Sequence, residues 1–533
     1  MISYCSIDYL LVFLPAVLLG YLVLPKHLRR VLLLAASYGF FWYLSGPLLL
    51  WHVAVCAAVW LIGLRMKHVI LSRGEALGQI ERKDREARRR VRETYSRKLR
   101  GWTILSGVIC FGILLSLKYT PFFLQNLNAV LARTGTGMQF EIPVIAVPIG
   151  ISFYTLQAMS YVFDVRNEKL SAEGNFFRLT LWLSFFPLLM EGPIVRYAPT
   201  AEKIWEVDRI KGENFQKGVW RILYGVMKKL VVADRVNMAV ELLYTDFAKY
   251  DGGMVFLAAV LFTVQEYMEF SGTIDIVIGT GECFGFFLPE NFRQPFFSRT
   301  ISEFWTRWHI TLGAWLRDYI FYPLSMSAPL KKLTKKCRAR FGNHYGPVIT
   351  GAVALFAVWL FNGLWHGAGW SYIFFGMYHF TLITAGSFIT PVVMSFCEKH
   401  SINRQSAPYA FFQRIRTALL VAIGEMFFRA LSLKHGLQMF VRIFRHASLR
   451  SFVDGTALKL GMDLQDYVIV LAVLVFVFVI SLLKEKEVNV RQKLYEKPVP
   501  VRALITAVFV CLIVLFGAYG AGYVPVDPIY ANF

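Results

Sequence analysis

Long apolar stretches recur along the whole chain and are separated by short polar segments. A helix needs about 20 apolar residues to cross the hydrocarbon core of a bilayer. The pattern predicts an all-α, polytopic bundle in which about nine to thirteen helices span the membrane, while short or charged stretches form re-entrant or interfacial helices. The predicted apolar helices cover residues 7–24, 31–46, 48–64, 101–119, 143–162, 176–190, 219–240, 254–268, 273–288, 347–362, 370–394, 411–430, 467–483 and 501–520.

Composition supports the membrane interpretation. Of the 533 residues, 56% are hydrophobic and 17% are charged, whereas a soluble domain is nearer to about 45–50% apolar and about 25% charged. We therefore expect residues 1–533 to form a single transmembrane domain, with the first apolar stretch retained as a helix because no cleavage signal precedes it. The seven cysteines include no CxxC pair, so we expect no metal site and no disulfide framework.

Basic residues are concentrated between the apolar stretches and give a net charge of +22. This distribution indicates cytoplasmic loops under the positive-inside rule, so we expect no nucleic-acid partner. Arg65–Arg100 contains thirteen Lys/Arg and five Asp/Glu, Lys331–Arg340 is a second basic patch, and a third, mixed patch follows Leu483. All three are predicted to be cytoplasmic. The first is either a solvated helical loop or a docking arm for an acidic partner or anionic lipid.

The segment Ile301–Leu324, ISEFWTRWHITLGAWLRDYIFYPL, is too polar to span a membrane and too aromatic for an ordinary loop. Its spacing predicts one amphipathic helix in the headgroup region, anchored by tryptophans. Glu303 and Arg307 are four residues apart, which favours an ion pair. His309 flanks the aromatic stripe as either a structural or a functional residue. The predicted aromatic face holds Trp305, Trp308, Leu312, Trp315 and Tyr319, and the predicted charged face holds Glu303, Arg307, Thr311 and Asp318.

The stretch GLWHGAGW, residues 363–370, places His366 among apolar and small residues. An ionisable group within a membrane segment is costly and is a candidate functional group. The alternative is a core histidine that donates to a backbone carbonyl. Among the other histidines, only His379 is an alternative candidate to His366. The flanking glycines favour a function, because they let a substrate or another backbone come close: Gly363, Gly367 and Gly369.

These two stretches together resemble the membrane-bound O-acyltransferase family, in particular the bacterial branch that acts in alginate O-acetylation and teichoic acid D-alanylation. The resemblance covers nearly the whole chain in order. Further matching stretches are PIGISFYTLQAMSYVFDVRN (Pro148–Asn167), FFPLLMEGPIVRY (Phe185–Tyr197), EFSGTIDIVIGTGECFGFFLPENFRQPF (Glu269–Phe296) and FGAYGAGY (Phe516–Tyr523).

The resemblance implies roles for particular residues. The family's catalytic histidine falls on His366, and its second functional polar position falls on His309. Neighbouring positions expected to bind substrate or to support the site are Trp305, Arg307, Trp308, Asp318, Trp365 and Gly367. The sequence departs from the family pattern at three places. Glu269 replaces an aspartate, Thr273 and Ile274 replace a tyrosine-serine pair, and Leu188 replaces a polar residue. These departures leave the identity of the acceptor open.

The implied reaction is direct acyl transfer from a thioester to a hydroxyl, without a cofactor other than the thioester co-substrate. Neutral His366 would take the hydroxyl proton near pH 7. Backbone N–H groups around Gly367 or the ring of His309 would stabilise the oxyanion. We expect a pore lined by the two histidines, with Ile301–Leu324 forming the wall of its cytoplasmic entrance.

Three functions are considered. The first transfers an acyl group, most simply acetyl, to hydroxyls of a cell-surface or exported polysaccharide. The second transfers D-alanine or another acyl group from a carrier-protein thioester to teichoic acid. The third is a transporter, which predicts Gly/Pro-broken helices in matching halves; we find no such symmetry. The expected partners are an acyl-thioester donor or acyl carrier protein, the polymer acceptor, membrane lipid and an extracytoplasmic acetyltransferase. The expected location is a bacterial plasma membrane.

Overall fold

The computed structural model describes residues 3–135 and 137–519, which are mostly helical and contain no β-strand. The first eleven α-helices are α1 (Leu14–Val23), α2 (Lys26–Ser45), α3 (Leu49–Gly78), α4 (Arg85–Lys118), α5 (Thr120–Thr134), α6 (Ile151–Arg166), α7 (Phe176–Ser184), α8 (Tyr197–Glu206), α9 (Gly212–Met227), α10 (Asp234–Thr245) and α11 (Gly252–Cys283). The others are α12 (Ile301–Arg307), α13 (Ile310–Leu316), α14 (Tyr322–Ser325), α15 (Ala328–His366), α16 (Trp370–Lys399), α17 (Ala407–Arg429), α18 (Leu433–Arg445), α19 (Arg450–Val453), α20 (Leu464–Glu485), α21 (Val490–Tyr495) and α22 (Val499–Phe516). Residues 520–523 of FGAYGAGY, and residue 520 of the last predicted helix, lie outside the described residues.

Seven helical segments in the described part of the chain are long and apolar enough to cross a membrane, which confirms the predicted all-α polytopic membrane protein. The number is smaller than the about nine to thirteen expected from apolar length, because some neighbouring predicted helices are joined and others are short. The seven segments are Lys26–Gly78, Arg85–Lys118, Gly252–Cys283, Ala328–His366, Trp370–Lys399, Leu464–Glu485 and Val499–Phe516.

The two helices predicted at 254–268 and 273–288 are one continuous helix, α11, so the predicted break is wrong. The polar residues between them are buried inside the bundle and find partners on the π-helical segment Lys228–Ala233. Lys229 forms an ion pair of 3.1 Å with Glu269, and the Lys228 ammonium donates to the Ser271 hydroxyl at 2.9 Å. The other positions that depart from the family pattern are buried as well: Thr273, Ile274 and Leu188.

Helices α9 and α11 approach each other closely through glycines spaced seven residues apart on each helix. A β-carbon at Gly225 would overlap the carbonyl oxygen of Gly272, and one at Gly218 would lie 2.6 Å from the carbonyl oxygen of Gly279. Small residues permit such backbone contact between helices in a membrane. The α9–α11 pair is therefore a closely packed part of the core.

The basic segment 65–100 forms a helical hairpin, because α3 and α4 both continue beyond their apolar parts. The Asp84 carboxylate caps α4 by accepting from the Ala87 N–H at 2.9 Å. Most of the basic side chains are exposed. This agrees with a solvated helical segment, which we call the basic hairpin, and its docking role stays a prediction. Two of its cations pair with acids four residues away, in Arg89–Glu93 and Arg90–Glu86.

The basic hairpin and the Lys331–Arg340 patch lie at the same end of the bundle. Lys118, the last residue of α4, donates to the carbonyl of Trp365 near the end of α15 at 3.1 Å. α4 therefore runs towards this meeting point from the basic hairpin, and the part of α15 after Gly342 runs towards it as well. α15 reverses direction at Gly342, whose φ is +79°, and the Thr334 hydroxyl donates to the Thr350 hydroxyl across this turn at 3.1 Å, so the Lys331–Arg340 patch lies beside the start of the second part of α15. We call the end that carries the basic segments the basic end, and the other the opposite end.

Candidate active site

The segment Ile301–Leu324 is interrupted, so the prediction of a single amphipathic helix is wrong. α12 stops before Trp308, and His309 has a φ of +46° before α13 begins. This left-handed conformation is uncommon for a residue with a β-carbon. The main-chain carbonyl of Asn291 stabilises the break by accepting from the Ile310 N–H at 3.0 Å. The break places His309 at a sharp turn between two short helices.

The side chain of Asn291 also holds the ring of His309. Its Oδ1 accepts from the N–H and the hydroxyl of Thr311 at 3.1 and 2.9 Å, and it lies 3.2 Å from His309 Nδ1. Because this oxygen can only accept, the contact assigns the proton of a neutral His309 ring to Nδ1. The Nε2 atom then carries the lone pair, which suits proton acceptance and does not suit donation to an oxyanion.

His366 is the last residue of α15, and the chain becomes extended directly after it. The carbonyls of a final helical turn have no partners within the helix. Here the end of α4 supplies them, since the Tyr119 hydroxyl donates to the carbonyl of Leu364 and the Lys118 ammonium donates to that of Trp365. This cross-helix cap fixes the turn that carries His366.

The indole ring of Trp365 lies beside both histidine rings. Its centroid is 5.6 Å from that of His309 and 4.9 Å from that of His366, edge-on in both contacts. The indole N–H donates to the carbonyl of Ser152 at 3.4 Å, and the Ser152 hydroxyl accepts from Lys118 at 3.1 Å. Trp365, which the sequence suggested as a supporting residue, thus packs against both rings.

Both histidines line one cavity of about 270 Å³, which we call the histidine cavity. Because α15 runs from the basic end to His366, residues that precede His366 on this helix extend the cavity towards the basic end. The wall formed by α15 consists of Leu355, Val358, Trp359, Asn362 and His366. The opposite wall includes Trp305, Trp308, His309, Leu312, Arg317 and Phe321.

Asn362 is a residue of this wall that sequence reasoning missed. It is buried and lies four residues before His366 on the same helical face. Within the described residues its amide makes no hydrogen bond to another protein group, so it is available to a molecule in the cavity. The sequence feature that could have identified Asn362 was its spacing of four residues from His366, at the end of an apolar run. Asn291 and Lys118 were also missed, because no local spacing connects them to the histidines.

Arg307 and Asp318 do not line the histidine cavity. The predicted ion pair between Glu303 and Arg307 is confirmed at 2.8 Å, and Arg307 also pairs with Glu485 at 2.9 Å. Asp318 lies beyond the helix break and pairs with Arg196 at 3.2 Å. The predicted charged face is therefore wrong beyond its first pair, and both residues stabilise the surroundings of the site.

The glycines around His366 serve the packing of α15 against α16. A β-carbon at Gly367 would overlap the ring of Tyr372, and one at Gly363 would lie 2.5 Å from the Tyr372 carbonyl oxygen. At Gly369 the nearest atom would be at 3.4 Å, an ordinary contact. The close approach predicted at Gly363 and Gly367 is therefore made by the protein's own helix.

His379 holds one wall of the cavity from behind. Its Nδ1 accepts from the indole N–H of Trp305 at 3.2 Å, and its ring stacks on that of Trp359 at 5.4 Å. His379 itself does not line the histidine cavity. Its geometry indicates that it positions two tryptophans.

A second, larger cavity of about 990 Å³ begins just after His366 in the sequence. Ala368 and Gly369 line it together with Phe122 and Asn126, which follow the end of α4. Because these residues come after the meeting point of α4 and α15, the cavity lies at the opposite end. His366 lies in the wall of the histidine cavity, and Ala368 and Gly369 shortly after it line a cavity at the opposite end.

The fold and the site define a multi-pass membrane protein with two histidines in the wall of an embedded cavity. The chain belongs to the membrane-bound O-acyltransferase family, whose sequence profile matches residues 37–336. It is therefore an O-acyltransferase, as the resemblance of its motifs predicted, and the transporter hypothesis is wrong. The matched range contains His309 and ends before His366.

Three relatives illustrate the range of the family. The protein named "Probable alginate O-acetylase" of Pseudomonas aeruginosa is 31% identical over 471 residues, which cover 88% of this chain and 80% of the relative. The peptidoglycan O-acetyltransferase of Helicobacter pylori is 29% identical over 304 residues, covering 52% of this chain and 54% of that protein. The teichoic acid D-alanyltransferase of Bacillus subtilis is 27% identical over 245 residues, covering 45% and 59%.

Proposed function

We propose that this protein transfers an acetyl group from a thioester donor to hydroxyls of an exported polysaccharide. The observation that carries the proposal is the placement of His309 and His366 in the wall of one cavity that extends towards the basic end. A donor made in the cytoplasm would enter from that end, and the polymer would approach from the opposite end. The relative that matches 88% of the chain is named as an alginate O-acetylase, which supports a polysaccharide acceptor.

His366 acts as the general base in this proposal. Its imidazole takes the proton of the acceptor hydroxyl while the oxygen attacks the thioester carbonyl. The tetrahedral intermediate then collapses, the carbon–sulfur bond breaks, and the imidazolium returns the proton to the departing thiolate. A positioned base contributes roughly 10²–10⁴ in rate. The products are the acetyl ester and the free thiol.

The oxyanion of the intermediate requires hydrogen-bond donors. Asn362 suits this role, because it lines the histidine cavity and its amide is not engaged by other described residues. His309 does not suit it, since the contact with Asn291 places the lone pair of the neutral ring on Nε2. In the proposed site His309 accepts a proton or orients the acceptor hydroxyl.

Transfer of D-alanine from a carrier protein is the second candidate. The exposed cations of the basic hairpin favour it, because an acidic carrier protein could bind there. This candidate uses the same histidines and differs in the donor. An extracytoplasmic acetyltransferase that receives the acyl group before the polymer is a related proposal.

The test is transfer by purified protein in lipid nanodiscs. Radiolabelled acetyl-CoA, an acetylated carrier protein and a D-alanylated carrier protein are each offered with a polymer acceptor, and ester-bound label is counted. We expect His366→Ala to abolish transfer while its thermal unfolding stays normal. The matched control is His400→Ala, which alters an exposed histidine at the end of α16. A folded His366→Ala variant with normal turnover would refute the catalytic role.

A further inference from the structure

A third cavity, of about 320 Å³, lies between α11, α17 and α20, and we call it the α17–α20 cavity. Its lining in the described part of the chain contains no charged residue. The lining residues of α11 run from Val260 to Met268, and those of α20 run from Leu474 to Ser481. At a rise of about 1.5 Å per residue, the cavity extends about 10–12 Å along both helices. This is most of the hydrocarbon depth of one leaflet, which is about 15 Å.

This cavity lies in the half of the bundle nearer the basic end. α16 starts at the opposite end and reaches the beginning of the second part of α15, where His344 Nε2 lies 3.1 Å from the carbonyl oxygen of Ser387. α17 therefore begins near the basic end. The rings of Phe297 and Phe478 stack at 5.7 Å, and Arg414, near the start of α17, donates to the Phe297 carbonyl at 3.2 Å. The last turns of α20 thus lie beside the first turns of α17.

The chemistry of the lining suits a hydrocarbon chain. Leu419 and Phe478 are 43% and 57% exposed on the surface of the bundle, so the cavity opens towards the membrane. Thr263, one of the few hydroxyl-bearing residues of the lining, donates to the Ala259 carbonyl at 2.8 Å and needs no other partner. Apolar walls gain dispersion contacts from a hydrocarbon neighbour. Lipid tails are the hydrocarbon that surrounds a membrane protein.

Two arginines at the basic-end rim of the cavity supply a charge that matches a lipid headgroup. Arg416 donates to the carbonyl of Arg299 at 2.9 Å, so Arg414 and Arg416 are both held against the segment 297–299. Neither makes an ion pair with a described residue. Glu303, whose carboxylate accepts from the Arg299 N–H at 2.9 Å, is paired with Arg307 at 2.8 Å. Because the cytoplasmic leaflet is rich in negative charge, the rim and the cavity together match an anionic phospholipid.

The α17–α20 cavity shares a wall with the histidine cavity. Tyr267 and Phe296 line the first, and Trp308, which precedes His309, lines the second. The ring centroid of Trp308 lies 5.9 Å from that of Tyr267 and 6.4 Å from that of Phe296. A molecule in the α17–α20 cavity therefore supports, through one layer of aromatic rings, the residue beside His309.

We propose that the α17–α20 cavity binds one acyl chain of an anionic phospholipid from the leaflet at the basic end, and that the phosphate of this lipid binds Arg414 and Arg416. The bound chain stabilises the wall that carries Trp308, so turnover depends on the lipid. The proposal goes beyond the proposed function, because it concerns a lipid that is neither donor nor acceptor and is not consumed.

The first test measures lipid binding without donor or acceptor. Delipidated protein in detergent is titrated with phosphatidylglycerol and, separately, with phosphatidylethanolamine of the same acyl chains, and native mass spectrometry gives the Kd of the tightest-binding copy. We expect phosphatidylglycerol to bind at least fivefold more tightly, with affinity that falls as salt rises.

Variants at the rim locate the phosphate. Arg414→Gln and Arg416→Gln should each raise the Kd of phosphatidylglycerol about fivefold, the effect expected for one exposed ion pair. Glutamine can still donate to the carbonyls of the segment 297–299 but carries no charge. Arg340→Gln is the matched control, because Arg340 is exposed at the basic end and does not line the cavity. It should leave the Kd unchanged.

A variant that fills the cavity tests the site of the acyl chain and its effect on turnover. Ala418 lines the cavity, and Ala418→Phe should abolish the tight binding of phosphatidylglycerol. Wild-type turnover should be several-fold lower in phosphatidylethanolamine nanodiscs than in phosphatidylglycerol nanodiscs. Because the new ring replaces the chain as a support for the wall, the variant should lose this difference. Val264→Phe, at another position of the lining, is used if Ala418→Phe does not fold.

The outcomes separate this proposal from the proposed function. Equal Kd values for the two lipids, or an unchanged Kd in both arginine variants, would overturn the phosphate site. Unchanged phosphatidylglycerol binding in a folded cavity-filling variant would place the lipid elsewhere. Equal wild-type turnover in the two lipids would overturn the support of Trp308 and leave acyl transfer established. Absence of turnover with every donor would overturn the proposed function, whereas the binding measurements would still decide the lipid site.

Discussion

The ammonium group of Lys118 donates a hydrogen bond of 3.1 Å to the carbonyl of Trp365, the residue that precedes His366. The two residues are 247 positions apart in sequence, and the bond joins the ends of α4 and α15. Because the last carbonyls of a helix have no partner within that helix, the contact stabilises the last turn of α15. The position of the proposed base therefore depends on a residue that does not touch the substrate.

We expect Lys118→Met to lower kcat about ten- to hundredfold, because a small displacement of a reacting group has an effect of this order. Methionine keeps much of the side-chain length but removes the donors. The KM values for donor and acceptor should change little. Steady-state kinetics of the purified variant measure both quantities.

Lys118→Arg is the conservative control, since arginine keeps the charge and the capacity to donate, and it should restore much of kcat. Tyr119→Phe removes the neighbouring bond to Leu364 and leaves the bond to Trp365 intact. It should reduce kcat less than Lys118→Met does. Equal kcat per folded molecule in Lys118→Met and the wild type would show that the bond does not position His366.

Asn291 is expected to control the conformation of the turn at His309. Asn291→Ala removes the oxygen that faces three donor groups, and it should lower the free energy of unfolding by about 2–3 kcal/mol, at about 1 kcal/mol for each bond. Transfer should fall as well. Thermal unfolding in detergent and the transfer assay measure the two effects.

Asn291→Asp is the matched variant, because its carboxylate can still accept from Thr311 and from His309 Nδ1–H. It should unfold at a higher temperature than the alanine variant and retain more activity. An alanine variant as stable and active as the wild type would contradict the role given to Asn291.

The helices were predictable from apolar runs, because a helix that contacts lipid requires apolar side chains. Prediction failed at α11, where Glu269 and Ser271 form a polar run inside the helix and are paired by Lys229 and Lys228. A hydropathy pattern cannot distinguish polar residues that end a helix from polar residues that are paired across a bundle.

The candidate site was predictable in part. His309 and His366 were found through their unusual sequence context and the family resemblance, and they line one cavity. The turn at His309 was not predictable, because Asn291 is eighteen residues earlier and acts through tertiary contacts. Asn362 could have been found from its spacing of four residues before His366. Lys118 could not have been found, since only the packing of α4 against α15 brings it to the site.

The contact between α9 and α11 predicts a marked difference between two glycines. Gly225→Ala should lower the free energy of unfolding by about 1–3 kcal/mol, because its β-carbon would overlap the carbonyl of Gly272 and force the helices apart. Gly112→Ala on α4 is the control, since no atom lies within 4 Å of its added β-carbon. It should be neutral or slightly stabilising. Equal thermal stability of the two variants would contradict close packing at Gly225.

The basic hairpin is expected to affect donor binding and not the chemical step. Replacing Arg82, Lys83 and Arg85 with glutamine should raise the KM for a carrier-protein donor several-fold, because exposed charges mainly steer association. The kcat at saturating donor should stay the same, and high salt should reduce the difference. The assay compares the carrier-protein donor with acetyl-CoA. Loss of turnover at saturating donor, in folded protein, would show that the hairpin has another role.

Asn362 gives the sharpest test of the proposed chemistry. Asn362→Leu keeps the side-chain size but removes the amide that would donate to the oxyanion. We expect kcat to fall about 10²–10³-fold, the usual effect of losing one such donor, with little change in either KM. Because the Asn362 amide makes no hydrogen bond to other described residues, removing it should not destabilise α15.

Two further variants separate donation from simple polarity at this position. Asn362→Asp keeps the shape but places a carboxylate where negative charge develops, so it should be at least as inactive as the leucine variant. Asn362→Gln keeps a donor on a longer side chain and should recover part of kcat. If leucine and asparagine support the same kcat in folded protein, the amide does not stabilise the transition state. The oxyanion would then be stabilised by backbone N–H groups near Gly367, as the sequence first suggested.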